Sequence, residues 1–137
     1  MKYFVDSCIW RDFYEGRFSK SGRDLGSAAS KFFAKVIKEK HKMLYSEDVI
    51  SELKKDYSAE EVEKMLSIFY LLGLLEKVET KSEEHREAMK LRAERELPYV
   101  DCLVAIQARN HKAIAVSQDY HFTEGLSDIV EILKPKD

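Results

Sequence analysis

Four carboxylates stand where the chain could do chemistry: Asp6, Glu52, Asp101 and Asp119. Asp101 is the least ordinary, because it is the one acid in the run Leu97-Pro98-Tyr99-Val100-Asp101-Cys102-Leu103-Val104-Ala105-Ile106-Gln107-Ala108. Val100, Leu103, Val104, Ala105, Ile106 and Ala108 cover most of the circumference of a 3.6-residue helix, which predicts a buried helix entering after Pro98. A carboxylate in those surroundings must be paired, metal-bound or protonated, because taking an unpaired charge out of water costs several kcal/mol. The simpler alternative is that Asp101 complements the helix dipole in the first turn, for about 0.3–1 kcal/mol. The residue taken alone leaves both readings open.

The other three acids follow elements that would bring them to the same place. Tyr3-Phe4-Val5 is a short β run ending at Asp6, and Ile9, Trp10, Phe13 and Tyr14 then follow at helical spacing. Met43-Leu44-Tyr45 is a second strand, followed by a helix capped by Ser46 that buries Val49, Ile50 and Leu53 and carries Glu52 at the border of that face. Ala113-Ile114-Ala115-Val116 is a third strand, running into Ser117-Gln118-Asp119, and Ile129 to Leu133 offers a fourth. Strands alternating with helices predict a parallel sheet covered on both faces. All strand carboxyl ends then share one edge, where open α/β sheets bind ligands, so the four acids converge. Carboxylates that close raise one another's pKa, and a hard divalent cation resolves the conflict. Mg²⁺ or Mn²⁺ held in this way suits metal-assisted hydrolysis of a phosphodiester.

The remaining segments connect these elements. Residues 16 to 27 collect three Gly and three Ser with basic side chains and read as a mobile surface loop, with phosphate contact by Arg17, Lys20 and Arg23 as the alternative. Ala29, Phe32, Phe33, Val36 and Ile37 predict a helix over Ala28 to Lys40. Ser58-Ala59-Glu60-Glu61 is a capping box for a helix running through Met65 and Phe69 to a stop at Gly73. Met65 to Leu75 is more apolar than one buried face needs, and so offers a surface for self-association, most simply as a homodimer, or for a partner. Leu74 to Glu79 adds a short extended piece. Thr80-Lys81-Ser82-Glu83 reads as a second capping box, opening a charged helix to about Glu96, on which Arg86, Lys90, Arg92 and Arg95 form a solvated face.

A chain of 137 residues is expected to form one domain, 1–137, burying about two thirds of its unfolded surface. With 45% hydrophobic and 35% charged residues and no apolar stretch of 18, the composition is globular and predicts no membrane span. The opening Met1-Lys2-Tyr3-Phe4-Val5-Asp6 lacks the features of a signal peptide, which makes the cytoplasm the expected location. Cys8 and Cys102 are expected to be small buried hydrophobes, and the four histidines show no metal spacing. A net charge of −2 excludes a global basic field, so a nucleic acid would have to be held by local patches.

The ordered set Phe4-Val5-Asp6-Ser7, Glu52, Val100-Asp101-Cys102-Leu103-Val104-Ala105 and Ser117-Gln118-Asp119-Tyr120-His121-Phe122 resembles the PIN domain family, in particular its short VapC-type toxin nucleases. The resemblance implies a three-layer α/β/α fold around a parallel sheet of about five strands. It implies a Mg²⁺- or Mn²⁺-dependent endoribonuclease in which Asp6, Glu52, Asp101 and Asp119 hold the metal. Ser117 and Ser7 would then assist through their hydroxyls, and His121-Phe122 would be structural. RNA is the implied substrate and a cognate antitoxin the implied partner. Ser117 stands where Thr is commoner, and the 16–27 loop is long, which bears on substrate contacts more than on the acids. A catalytically silent RNA- or protein-binding relative is the alternative. A phosphoryl acceptor fits less well: a receiver-like protein needs a Lys late in the sheet, and a haloacid-type enzyme an Asp where Cys8 stands.

Overall fold

The computed structural model describes residues 1–136. Within them the strands are β1 (Lys2–Val5), β2 (Lys42–Tyr45), β3 (Leu75–Lys77), β4 (Ile114–Val116) and β5 (Ile132–Leu133). The helices are α1 (Ser7–Glu15), α2 (Leu25–Glu39), α3 (Glu47–Leu53), α4 (Ala59–Leu71), α5 (Ser82–Arg95), α6 (Tyr99–Asn110) and α7 (Tyr120–Gly125). The strands form one all-parallel sheet in the order β3-β2-β1-β4-β5. The chain builds outward from β1 through β2 to β3, then returns to the other side of β1 for β4 and β5. That reversal leaves a crevice at the carboxyl ends of β1 and β4, the position where doubly wound sheets bind ligands.

The three layers follow from burial. Phe4, Val5, Met43, Leu44, Ala115 and Val116 are inaccessible, as expected for strands covered on both faces. On one face Trp10 of α1 packs its ring 4.8 Å from Phe33 of α2 and 5.6 Å from Phe69 of α4. On the other, α6 lies across β1 and β4 with α5 packed outside it. Every residue of α6 from Asp101 to Ala108 is therefore buried, which explains why its sequence is apolar all round. No helix among the described residues is long and apolar enough to cross a membrane.

Several boundaries differ from the sequence reading. The segment read as a mobile loop is bound by its own backbone: Phe18 bridges Asp24, the Arg23 carbonyl accepts from Ser19 N–H at 2.8 Å, and the Arg17 carbonyl accepts from Gly26 N–H at 2.9 Å. Helix α2 begins at Leu25, three residues before the predicted start, because Asp24 caps it by accepting from Ser27 N–H at 2.9 Å. The second capping box sits one residue later than predicted, with Glu84 accepting from Lys81 N–H at 2.9 Å while Thr80 donates to Asp48. The predicted strand Ile129 to Leu133 shortens to Ile132–Leu133, and α7 was not anticipated.

Helices α1 and α2 meet through glycine. A methyl group on Gly26 would lie 2.6 Å from Gly16 Cα and 3.0 Å from the Asp12 carbonyl, atoms that are backbone and have little room to yield. Gly26→Ala is expected to destabilise the protein by about 1–3 kcal/mol, read from the midpoint of urea unfolding. A wild-type midpoint would show that the two helix ends can part without cost.

Candidate active site

Asp6 and Ser117 are the first residues past the hydrogen-bonded ends of β1 and β4. Asp6 N–H still donates to the Val116 carbonyl at 3.0 Å, and Ser117 N–H donates to the Leu133 carbonyl at 3.1 Å, so both are fixed by the sheet. Asp6 then caps α1, its Oδ1 accepting from Ser7 N–H at 2.9 Å. Its Oδ2 accepts from Ser117 Oγ at 2.9 Å and from Cys8 Sγ at 3.3 Å. Ser117 Oγ in turn accepts from Asp119 N–H at 3.1 Å, and Asp119 caps α7 through His121 N–H at 2.9 Å. One buried hydroxyl thus ties the β1 carboxylate to the β4 turn. Glu52, on α3, is held from the same side: Ser7 Oγ donates to its Oε1, and Arg11 Nη2 donates to its main-chain carbonyl at 3.1 Å. Arg11 also pairs with Asp56 at 3.0 Å, which fastens the end of α3 to α1.

Asp101 enters from the opposite face, in the first turn of α6. It is 5% exposed, and its Oδ2 has no hydrogen-bond partner. Burial, then the neighbouring charges of Asp6, Asp119 and Glu52, push its pKa up to about 8. Burial also pushes Asp6 up to about 6, with Glu52 adding to the rise while Ser117, Cys8 and the Ser7 amide oppose it. Such shifts are the signature of carboxylates held close together in a poorly solvated place.

The four predicted acids are brought together around one cavity of about 470 Å³, also lined by Ser7, Cys8, Arg11, Arg17, Lys55, Asp56 and Pro98. Ser117 is not on that wall. It is fully buried behind it, so its part is to position Asp6 and Asp119. As arranged, no three Asp, Glu, His or Cys side chains among the described residues are grouped closely enough to hold a metal ion. Three of the acids are engaged in bonds of their own, Glu52 to Ser7, Asp6 to Ser117 and Asp119 to its helix cap. The donor set nonetheless suits a hard cation: four carboxylates face one cavity, and one buried oxygen lacks any donor.

Of the basic residues considered in the 16–27 segment, only Arg17 lines the cavity. Its Nε lies 3.7 Å from Asp12, a buried acid whose pKa burial pushes up to about 6, opposed by Arg17 and raised further by Glu15. Arg23 points elsewhere, donating to the Pro135 carbonyl at 2.6 Å. On α5, Arg95 is engaged with Asp128 at 2.7 Å, and none of the basic residues of that helix reaches the acids. Sequence reading missed Arg11, Lys55 and Asp56. Their spacing from Ser7 and Glu52, three or four residues on, was the available signal, since it puts them one helical turn from a residue already singled out.

The raised carboxylates make stability depend on pH. In the native protein without metal, Asp101 and Asp6 hold protons that the unfolded chain releases near pH 4. Their contribution is therefore complete below about pH 4 and is lost as pH rises through about 6 and then about 8. Thermal unfolding in EDTA is expected to show a falling Tm from about pH 5 to pH 8.5. Asp101→Asn should flatten the upper part of that decline, while Asp12 and Asp6 retain the lower part. A wild-type Tm independent of pH over this range would contradict the described burial.

Residues 3–125 match the PIN domain family. Solved structures share the fold, among them three that overlap nearly the whole of this chain. VapBC2 from Rickettsia felis, bound to a DNA fragment from its promoter, aligns with a TM-score of 0.67 at 19% identity, over 99% of this chain and 100% of that one. A toxin-antitoxin complex from Klebsiella pneumoniae aligns with a TM-score of 0.66 at 14% identity, over 98% of each chain. PAE2754 from Pyrobaculum aerophilum aligns with a TM-score of 0.61 at 17% identity, over 98% of this chain and 89% of that one. No curated protein matches the sequence.

Proposed function

The chain belongs to the PIN domain family, and from that premise we propose that it is a metal-dependent endoribonuclease, the toxin of a toxin-antitoxin pair. The observation that carries the proposal is the Asp101 carboxylate, buried beside three other acids with one oxygen unsatisfied and its pKa pushed up to about 8. Such a group costs the fold stability unless something positive meets it, and three further acids line the same cavity.

Asp6, Glu52, Asp101 and Asp119 are the residues that would hold Mg²⁺ or Mn²⁺. A bound divalent ion would supply an acidified water and a counter-charge for the developing phosphorane and leaving oxygen. The chain's own groups do the rest. Ser117 and Ser7 fix Asp6 and Glu52 on the cavity wall by hydrogen bonds. Arg17 and Lys55 on the cavity wall offer cations to the RNA phosphates, which the acids would otherwise repel.

The partner reading has its own support. The Klebsiella structure of this fold is a toxin-antitoxin complex, and the Rickettsia one is VapBC2 bound to a DNA fragment from its promoter. On the present chain Ile68, Tyr70, Leu71 and Leu72 leave an apolar strip exposed at the end of α4. That strip is where we place a homodimer contact. Sedimentation showing a monomer at high micromolar concentration would remove it. A second reading, a catalytically silent relative that binds RNA or protein, draws on the acids not being grouped to hold a metal as they stand.

The assay pairs cleavage with a binding readout. Purified protein freed of antitoxin is expected to cut RNA with Mg²⁺ or Mn²⁺ and to stop in EDTA. Either ion should also raise the Tm at pH 8 in a concentration-dependent way. Asp101→Asn should cut kcat/KM by roughly 100-fold or more, since an anionic ligand to the ion is worth several kcal/mol in the transition state. The same variant should lose the metal-induced Tm shift while its metal-free stability holds or rises. Cleavage that survives thorough chelation, or an active Asp101→Asn protein, would sink the metal mechanism. A metal-induced Tm shift without cleavage would leave the silent reading.

A further inference from the structure

A second groove lies away from the acids, between α2 and the segment that follows β5. Its volume is about 390 Å³, its floor is Ala28, Phe32, Leu133 and Pro135, and its rim is Lys31, Lys35, Lys134 and Lys136. No acid lines it. None of the four lysines joins an ion pair among the described residues. In a chain with net charge −2, four cations around one groove with no ion pair among the described residues are a local excess. The arrangement also works against stability. Lys31 and Lys35 are spaced i,i+4 on one helix, where like charges repel, and Lys134 and Lys136 alternate onto one side of an extended segment facing them.

We infer that this groove holds the phosphodiester backbone of an RNA whose cleavage point occupies the acidic cavity. The inference rests on the ribonuclease reading and extends it to the path of the substrate. Two features favour this occupant. The first is continuity with the acids: the Pro135 carbonyl accepts from Gln118 Nε2 and Arg23 Nη2, each at 2.6 Å, and Gln118 immediately precedes Asp119. The second is the kind of recognition available. Beyond its ammonium groups the lining presents only apolar side chains, and Phe32 is committed to the core, its ring 5.2 Å from Tyr3. Point charges over an apolar floor suit repeated phosphates and sugars without reading bases, so binding here is independent of sequence.

The test uses anisotropy of fluorescein-labelled single-stranded RNA in EDTA, where nothing is cut. An oligonucleotide of about 20 nucleotides is compared with one of about four, which is too short to occupy both places. Lys31→Ala/Lys35→Ala and Lys134→Ala/Lys136→Ala proteins are each expected to bind the longer RNA several-fold more weakly. Each should also lower the slope of log affinity against log salt by about 1.4, or 0.7 per phosphate contact on a single strand. Lysine-to-arginine versions should restore both, and Lys64→Ala/Lys90→Ala, elsewhere on the surface, should change neither. With Mg²⁺ the groove variants should show a raised KM for long RNA and an unchanged kcat. Wild-type affinity and slope in both groove variants would overturn the inference. So would lysine-dependent binding of poly-glutamate or anionic vesicles by a protein that ignores RNA. Lysine-dependent RNA binding without any cleavage would leave the groove standing and remove the nuclease reading. Cleavage of long RNA that ignores the lysines would do the reverse.

Discussion

The structure turns on how a buried carboxylate is compensated, and it contains two opposite answers to that question. Glu84, at the start of α5, is as buried as Asp101. Desolvation alone would raise its pKa, yet it accepts from the Lys81 amide and from the Asn110 and Gln107 side-chain amides, and these hold it below the usual range. It is an anchor, fully satisfied, joining α5 to α6. Asp101 lies on that same α6 and has no such donors. The chain evidently can surround a carboxylate with N–H groups when it needs one for packing. Leaving Asp101 without them, among three further acids, is a different use of the same residue type.

Keeping four acids near one another requires a frame that cannot relax, and the parallel sheet supplies it. Asp6 and Ser117 are fixed by ladder bonds at adjacent strand ends. Helix α6 is pressed between the sheet and α5, and Asp101 is held buried with it. On the other face the Trp10, Phe33 and Phe69 cluster sets α1 against α2 and α4, and Arg11 carries that rigidity to Glu52 through its main-chain carbonyl. The electrostatic cost is thus distributed over packing that is indifferent to charge.

Much of this was legible in the sequence because it depends on local pattern. The β1 run ending at Asp6, the all-apolar α6 with its one acid, and the Ser58 capping box are all written in consecutive residues. The order of the four acids along alternating strands and helices was enough to place them at one sheet edge. What could not be read depends on contacts across the fold. The 16–27 segment has the composition of a mobile loop, but a close approach of Gly26 to Gly16 and a few backbone hydrogen bonds give it structure. Helix α7 is one short turn or two with Phe122 its one buried residue, too little periodicity to see. Ser117 was visible as a hydroxyl after the third strand, but that it stands behind the wall follows only from which way β4 presents it. Arg11, Lys55 and Asp56 gain their meaning from the meeting of α1 and α3.

The four acids also differ in what else they do, and this bears on how such a protein would change over generations. Asp6 caps α1 and Asp119 caps α7, while Glu52 receives the Ser7 hydroxyl; each has a structural duty that survives the loss of any chemistry. Asp101 has none, and its charge is a burden on the fold. In a lineage released from selection for activity, position 101 is therefore where drift begins, since a neutral residue there adds stability at once. Position 6 would be among the last to go. Loss of the aspartate at 101 would therefore be an earlier mark of lost selection than loss of the one at position 6.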